Sequence, residues 1–289
     1  MRAGMTSSAG RNILFIATIA FFATPIVWLL LAPTKSTNQL SYLNPLAFGS
    51  LSQLGTTANN LLSYQNGIIW AWFFNSVWYT LVSVSIALVA SIPAGYALAK
   101  FRFRGNTVIL FVTLLTMIVP AAALILPLYL EMSAVGMVNT PWSVILPGTF
   151  YPFGVYMIYL FAKNAIPDSI IEAARLDGAS EFGILMRIFV PLARPAIIMI
   201  AFFAIVGSWN SFFLPFIMLT SANLQTLQTG LQALVSATGA LGGGNLSNIA
   251  IHAPEVAFAT LLSILPILLV FLFAQKYLAA GQAAGAEKG

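Results

Sequence analysis

Six stretches of this chain stay apolar for about 20 residues or more, the length a helix needs to cross the hydrocarbon core of a bilayer. They cover 12–31, 70–99, 107–130, 141–161, 193–219 and 255–279. The remaining composition leaves little choice of solvent. Only 7% of the 289 residues are charged and 60% are hydrophobic, whereas a soluble domain carries about 25% charged residues. The 12 basic and 7 acidic side chains could not cover the surface of a soluble domain of this size. The expected fold is therefore all-α, a polytopic transmembrane helical bundle of about six spans. The first stretch is longer than the apolar core of a signal peptide and lacks a small-residue cleavage site, so it is expected to remain as a span.

Lys and Arg sort the connecting segments into two sets, and short cytoplasmic loops retain positive charge. Arg2 and Arg11 precede the first span, and Lys100, Arg102 and Arg104 follow the second. Lys163, Arg175 and Arg187 follow the fourth, and Lys276 and Lys288 follow the sixth. The opposite set carries one base, Lys35. Both termini are thus expected in the cytoplasm. The net charge of +5 is scattered between spans instead of forming a stripe, which excludes a nucleic-acid surface and leaves membrane lipids as the surroundings. Prolines are frequent inside the spans, among them Pro93, Pro120, Pro127, Pro147, Pro215 and Pro266, and each removes a helical hydrogen bond and permits a kink.

Several chemistries are missing. Without cysteine there is no disulfide framework and no thiolate metal site. No lysine is preceded by the glycine that a phosphate-binding loop requires. The single histidine, His252, has Glu255 three residues away, but two ligands make a poor metal site and one candidate base makes no triad. The chain is expected to be non-catalytic, to bind no metal and no cofactor of its own, and to depend on a partner for any enzymatic step.

The most ordered pattern lies in the cytoplasmic segment between the fourth and fifth spans. Ser169 and Glu172 are spaced as a capping box, predicting a helix start. Gly178 supplies its stop. Beyond it Phe182, Leu185, Met186 and Phe189 recur at i, i+3, i+4 and i+7, giving a second helix one apolar face outside the membrane. That face would suit a protein partner, the protein's own helix ends, or the headgroup layer, and the residues alone leave these open.

The run Glu172-Ala-Ala-Arg-Leu-Asp-Gly178, continuing through Ile188 to Pro191, resembles the EAA loop of bacterial ABC importer permeases. The resemblance implies a type I importer permease fold, with this loop seated as a coupling helix in a cleft of a cytoplasmic ATPase. On that basis Glu172, Ala173, Ala174, Asp177, Gly178, Phe182, Leu185, Met186 and Phe189 are the expected ATPase-coupling residues. Asn75-Ser76, the run from Pro93 to Gly105, Trp209-Asn-Ser-Phe-Phe213 and the tail from Gly281 to Gly289 narrow the likeness to carbohydrate importers, and to the second permease subunit of maltose-like systems.

The likeness implies half of a translocation pathway for a sugar or oligosaccharide in the bacterial inner membrane. The implied partners are a second permease subunit forming a heterodimer, an ATP-binding subunit dimer carrying ATP and Mg, and an extracytoplasmic solute-binding protein. Trp209, Asn210, Phe212 and Phe213 are the candidate pathway residues, offering rings and an amide to a sugar. Gly242, Gly243 and Gly244 sit where the family places a loop that enters the binding protein, although a flexible spacer explains the same composition. The chain divides on this reading into 1–69, a core permease domain 70–279 containing the loop 162–193, and a tail 280–289. The alternative function, a secondary ion-coupled carrier, would call for ionisable groups within the spans or an inverted repeat, and neither is visible.

Tags placed at either terminus, near Gly105 or near Gly178 should report cytoplasmic exposure, and a tag near Gly243 should report the outside. Cytoplasmic accessibility near Gly243 in a labelling assay on whole cells would overturn the six-span topology.

Overall fold

A computed structural model describes residues 8–238 and 251–286, and among them the secondary structure is helical, with no strand. Four helical segments are long and apolar enough to span a membrane: Gly10–Thr34, Ile68–Lys100, Trp142–Ala165 and Ala253–Lys276. Two further spans are formed only if bent helix pairs are each counted as one.

The third expected span, 107–130, is one such bent pair, with its break at a proline that permits a kink. It consists of α5 (Asn106–Ile118) and α6 (Ala121–Ala134), whose axes differ by 104°. Pro120 lies at the break and Val119, which precedes it, is extended at φ −68° and ψ 122°, as steric conflict with the proline ring favours. The fifth run, 193–219, is also broken. Its helix α12 (Arg194–Trp209) stops at Asn210, and a separate short helix α13 (Phe213–Met218) follows.

The chain folds into two compact units. The first comprises Met1–Trp70 and Gly230–Leu265. In it α1 (Ser8–Leu31) leads into a 3₁₀ turn (Ala32–Thr34), then α2 (Thr37–Tyr42) and α3 (Leu51–Ser63). Lys35 is only 1% exposed, yet it forms no ion pair among the described residues. Its Nζ donates instead to the backbone carbonyls of Asn44 (3.0 Å) and Pro45 (2.8 Å), which satisfies the buried ammonium and closes the loop. The one basic residue on the outer side is thus a structural clasp. Glu255, also buried, accepts from Asn60 Nδ2 and from the His252 backbone N–H, both at 3.1 Å. It therefore caps the start of α15 (Ala253–Ala286), and its bond to His252 is through the backbone, not the imidazole.

The second unit comprises Ala71–Thr229 and Pro266–Gly289. Its longest element is α4 (Ile68–Lys100). One buried cluster joins Tyr96 of α4 to Ile158 and Ala162 of α8 (Pro152–Ala165), to Ile171, Ile184, Leu185 and Phe189 of the cytoplasmic loop, and to Ile200 of α12. A second joins Tyr79 to Val144 and Ile145 of α7 (Trp142–Thr149) and to Met218 and Leu219. Helices α4 and α8 touch at Gly95, where an added Cβ would lie 2.6 Å from both Ile158 Cβ and the Val155 carbonyl oxygen. Small residues at helix crossings are how membrane helices approach closely.

Gly95→Ala should accordingly destabilise the assembled protein by about 1–3 kcal/mol through overpacking. Gly55→Ala, where nothing lies within 4 Å of the new methyl group, serves as the control. Thermal unfolding in detergent distinguishes them; equal midpoints would show that the α4–α8 crossing tolerates a methyl group.

Candidate functional site

The cytoplasmic loop is built from α9 (Asp168–Leu176), α10 (Glu181–Ile184), a π-helical turn (Leu185–Phe189) and the short α11 (Val190–Leu192). The expected capping box does not form. The helix starts one residue before Ser169, behind Pro167, and has no side-chain cap. Ile166 and Pro167 hold the chain extended, and Asp168 places its carboxylate in the first turn, where the helix dipole favours negative charge. The capping serine is Ser180, whose Oγ accepts from Gly183 N–H at 3.2 Å at the start of α10.

Gly178 does end α9. At φ +80° it adopts the left-handed conformation, the Ala179 N–H donates to the Ala174 carbonyl and the Gly178 N–H to the Arg175 carbonyl, each at 3.0 Å. This pair of bonds defines a Schellman turn, which occupies the last free carbonyls of the helix. No atom lies within 4 Å of where a Cβ would stand at Gly178, so the position demands glycine through its backbone and not through lack of room.

The apolar stripe divides. Leu185 and Phe189 are buried in the core, whereas Phe182 is 73% and Met186 49% exposed. The π turn widens the helix between these residues, so a 3.6-residue period no longer describes one face. Ala174 is likewise buried beneath α9, while Glu172, Ala173, Asp177 and Gly178 face outward with Leu176, which is 89% exposed. The sequence nominated nine residues as one surface; the fold turns Ala174, Leu185 and Phe189 inward and brings Leu176 out.

Two ion pairs fix this loop. Lys100, buried at the end of α4, donates from Nζ to Asp168 Oδ1 and to the Ile166 carbonyl, each at 2.6 Å. The hydrogen bond from Lys100, followed by its charge, holds the Asp168 carboxyl below its ordinary pKa of 3.8. A lowered carboxylate pKa contributes stability above the unfolded-state value and loses it as pH falls through the folded one, so this clamp is intact throughout neutral and mildly acidic conditions. Arg175 pairs with Glu181 at 2.7 Å across the Gly178 turn and lies 5.7 Å from the centre of the Phe101 ring. Its hydrogen bond to Glu181 raises the Arg175 pKa. Neither Lys100–Asp168 nor Arg175–Glu181 follows from sequence spacing, since the first joins residues on different helices.

Above this loop the second unit contains a cavity of about 220 Å³. Tyr79, Tyr151 and Trp209 supply rings, and Ser76, Thr80 and Ser208 are among its hydroxyl groups. None of the lining residues is Asp, Glu, Lys, Arg or His. Of the four nominated pathway residues only Trp209 lines it. Asn210 turns its amide back to the Val206 carbonyl (2.9 Å), Phe212 stacks on Phe216 with ring centres 5.3 Å apart, and Phe213 is 65% exposed. The rest of the lining comes from α4, α7, α12 and α13 and from Tyr151, Ser211 and Thr226, whose hydroxyl groups and rings look like ordinary span residues in sequence.

The outer end is closed by side chains of α4 reaching the loop after α13. Trp72 Nε1 donates to Ala222 O (2.7 Å), Asn75 Nδ2 to Asn223 O and Gln225 O (2.8 and 2.9 Å), and Tyr79 Oη to Leu224 O (2.9 Å). Ser76 Oγ accepts from Leu227 N–H at 2.7 Å. Residues 222–227 are therefore fixed, and α14 (Leu227–Ala237) follows directly, so this part of the outer segment is no flexible spacer. Gly242, Gly243 and Gly244 lie outside the described residues.

Residues 91–283 match the family described as binding-protein-dependent transport system inner membrane component. The chain belongs to this family. It is a multi-pass inner-membrane permease of an ABC importer. It is 33% identical to the arabinooligosaccharides transport system permease protein AraQ of Halalkalibacterium halodurans, over 95% of this chain and 94% of that protein. It is 29% identical to the lactose transport system permease protein LacG of Rhizobium radiobacter, over 89% of this chain and 88% of that one. A chain from the crystal structure of a bacterial ABC transporter importing the acidic polysaccharide alginate superposes with a TM-score of 0.79, covering 95% of this permease and 99% of that chain at 24% identity. That likeness establishes the type I permease fold.

Because only the backbone conformation constrains Gly178, Gly178→Asn should leave the α9–α10 turn in place, whereas Gly178→Val should weaken it by about 1–2 kcal/mol. Limited proteolysis of the loop in the purified permease reads this difference; equal cleavage of the two variants would refute the left-handed assignment.

Proposed function

We propose that this permease forms half of a heterodimeric pathway for a sugar or oligosaccharide, and that its α9–α10 loop is the surface that seats in a cleft of an ATPase dimer. The loop reading rests on one observation. The Schellman turn at Gly178 presents Glu172, Ala173, Leu176, Asp177 and Phe182 outward from a base locked by Lys100 and by a continuous core. Leu176 and Phe182 are large apolar groups left in water, which a partner would cover. Rigid attachment lets closure of the partner move α4, α8 and α12 together. ATP and Mg belong to that partner on this reading, since the permease has no glycine-lysine phosphate loop.

The cargo reading is supported by the cavity. Rings interleaved with hydroxyl groups and free of ionisable carboxylates or amines suit a neutral polyhydroxylated solute, with apolar faces for stacking and hydroxyl partners for hydrogen bonds. The relatives named for arabinooligosaccharides and lactose transport agree with it. The absence of charge in the lining also disfavours an ion-coupled carrier.

The permease should co-purify with an ATP-binding subunit, and reconstituted vesicles should import sugar only with ATP and the binding protein. Glu172→Lys, Gly178→Asp and Lys100→Met should each leave the protein in the membrane at near-normal abundance while lowering ATPase association and substrate-stimulated hydrolysis. Normal import by all three variants would remove the coupling role from this loop.

A further inference from the structure

A second open pocket, of about 530 Å³, lies where α4, the Phe101–Gly105 connection and α8 meet on the side assigned to the cytoplasm. Arg102, Arg104 and Lys163 line it together with Tyr159, Phe103 and Asn106, and no carboxylate does. Arg102 acts on Asp168 only through its field, and neither Arg102 nor Arg104 forms an ion pair among the described residues. Lys163 donates to the Tyr159 hydroxyl at 3.0 Å. Asn106 holds the connection in shape by donating to the Leu98 and Phe101 carbonyls at 2.9 and 3.0 Å. The first turn of α5 contains no acidic residue and has no side-chain cap, so its positive dipole end adds to the same field.

A groove of about 360 Å³ continues along the same three helices, one to two turns further into the span. Ala90 and Ala94 of α4, Val108, Val112 and Thr116 of α5, and Val155 of α8 line it. Val108 and Val112 are 63% and 50% exposed, so the groove opens sideways along α5. Three cations at a membrane surface, followed by an apolar channel in the direction of the bilayer centre, match a molecule with an anionic head and a hydrocarbon tail.

We propose that this is a binding site for one anionic phospholipid of the cytoplasmic leaflet. Its phosphate sits among Arg102, Arg104 and Lys163, and an acyl chain lies in the α4–α5–α8 groove. The charges that orient the protein during insertion thereby also hold a lipid at the foot of α4, beside Lys100 and the coupling loop.

The test uses the intact transporter complex in nanodiscs of phosphatidylcholine, with or without phosphatidylglycerol, followed by detergent washing and native mass spectrometry. One phosphatidylglycerol should survive washing on the wild type, with about a hundredfold weaker retention in the R102Q/R104Q/K163Q variant. Val112→Trp fills the groove while leaving every charge and the topology intact, and it should also release the lipid. Equal retention by the wild type and both variants overturns the proposal. Displacement of the lipid by inorganic phosphate at millimolar concentration, with Val112→Trp without effect, would show a simple anion site and overturn it as well. So would a photo-crosslink from position 104 to the ATPase subunit or from position 112 to the second permease in the washed complex.

Discussion

A transmembrane helix pairs its own amides and carbonyls, and this leaves its side chains free to pair those of segments that cannot do so. Helix α4 uses that freedom at both ends. Over 33 residues, about 50 Å of helix, it carries Trp72, Asn75, Ser76 and Tyr79 on one face near its outer end and Lys100 at its inner end. The four outer side chains pair the irregular backbone of 222–227, and Lys100 pairs the Ile166 carbonyl just before α9. Irregular backbone on each side of the membrane is thus held by one continuous helix, and the cavity lies along α4 between these attachments.

The coupling proposed above depends on this arrangement. The cavity, the outer connection and the loop share helices, so on that proposal a displacement imposed on the loop would be carried as a rigid-body movement. Tyr96 packs against both Phe101 and Phe189, with ring centres 5.7 and 4.8 Å apart, and so fills the space between α4 and the loop. Close packing of this kind transmits displacement because it cannot be compressed.

Much of the architecture was legible in the sequence because hydropathy records what a span must do in lipid. The apolar runs and the glycine stop at Gly178 are consequences of single residue types at fixed spacing. Pro120 marked where a span could bend, but the size of that turn and the break at Asn210 were not legible, since an apolar run counts residues without showing how far the backbone turns. The stripe from Phe182 to Phe189 misled for a related reason. A core face and a docking face have the same composition, and the π turn that separates them leaves no signature in apolar spacing. Pairings such as Lys100 with Asp168, or Asn75 with the carbonyls of Asn223 and Gln225, join residues far apart in sequence and appear only once the helices are packed.

The turn at Gly178 separates two properties that are usually entangled at a protein surface. Its shape is written in main-chain hydrogen bonds and one left-handed residue, with empty space around the position a side chain would take. The side chains exposed at this tip include Glu172, Leu176, Asp177 and Phe182, none of which the turn's own bonds require. Contour and chemistry at this tip are therefore independent variables: a permease of this design can exchange its outward side chains while presenting them on an unchanged scaffold.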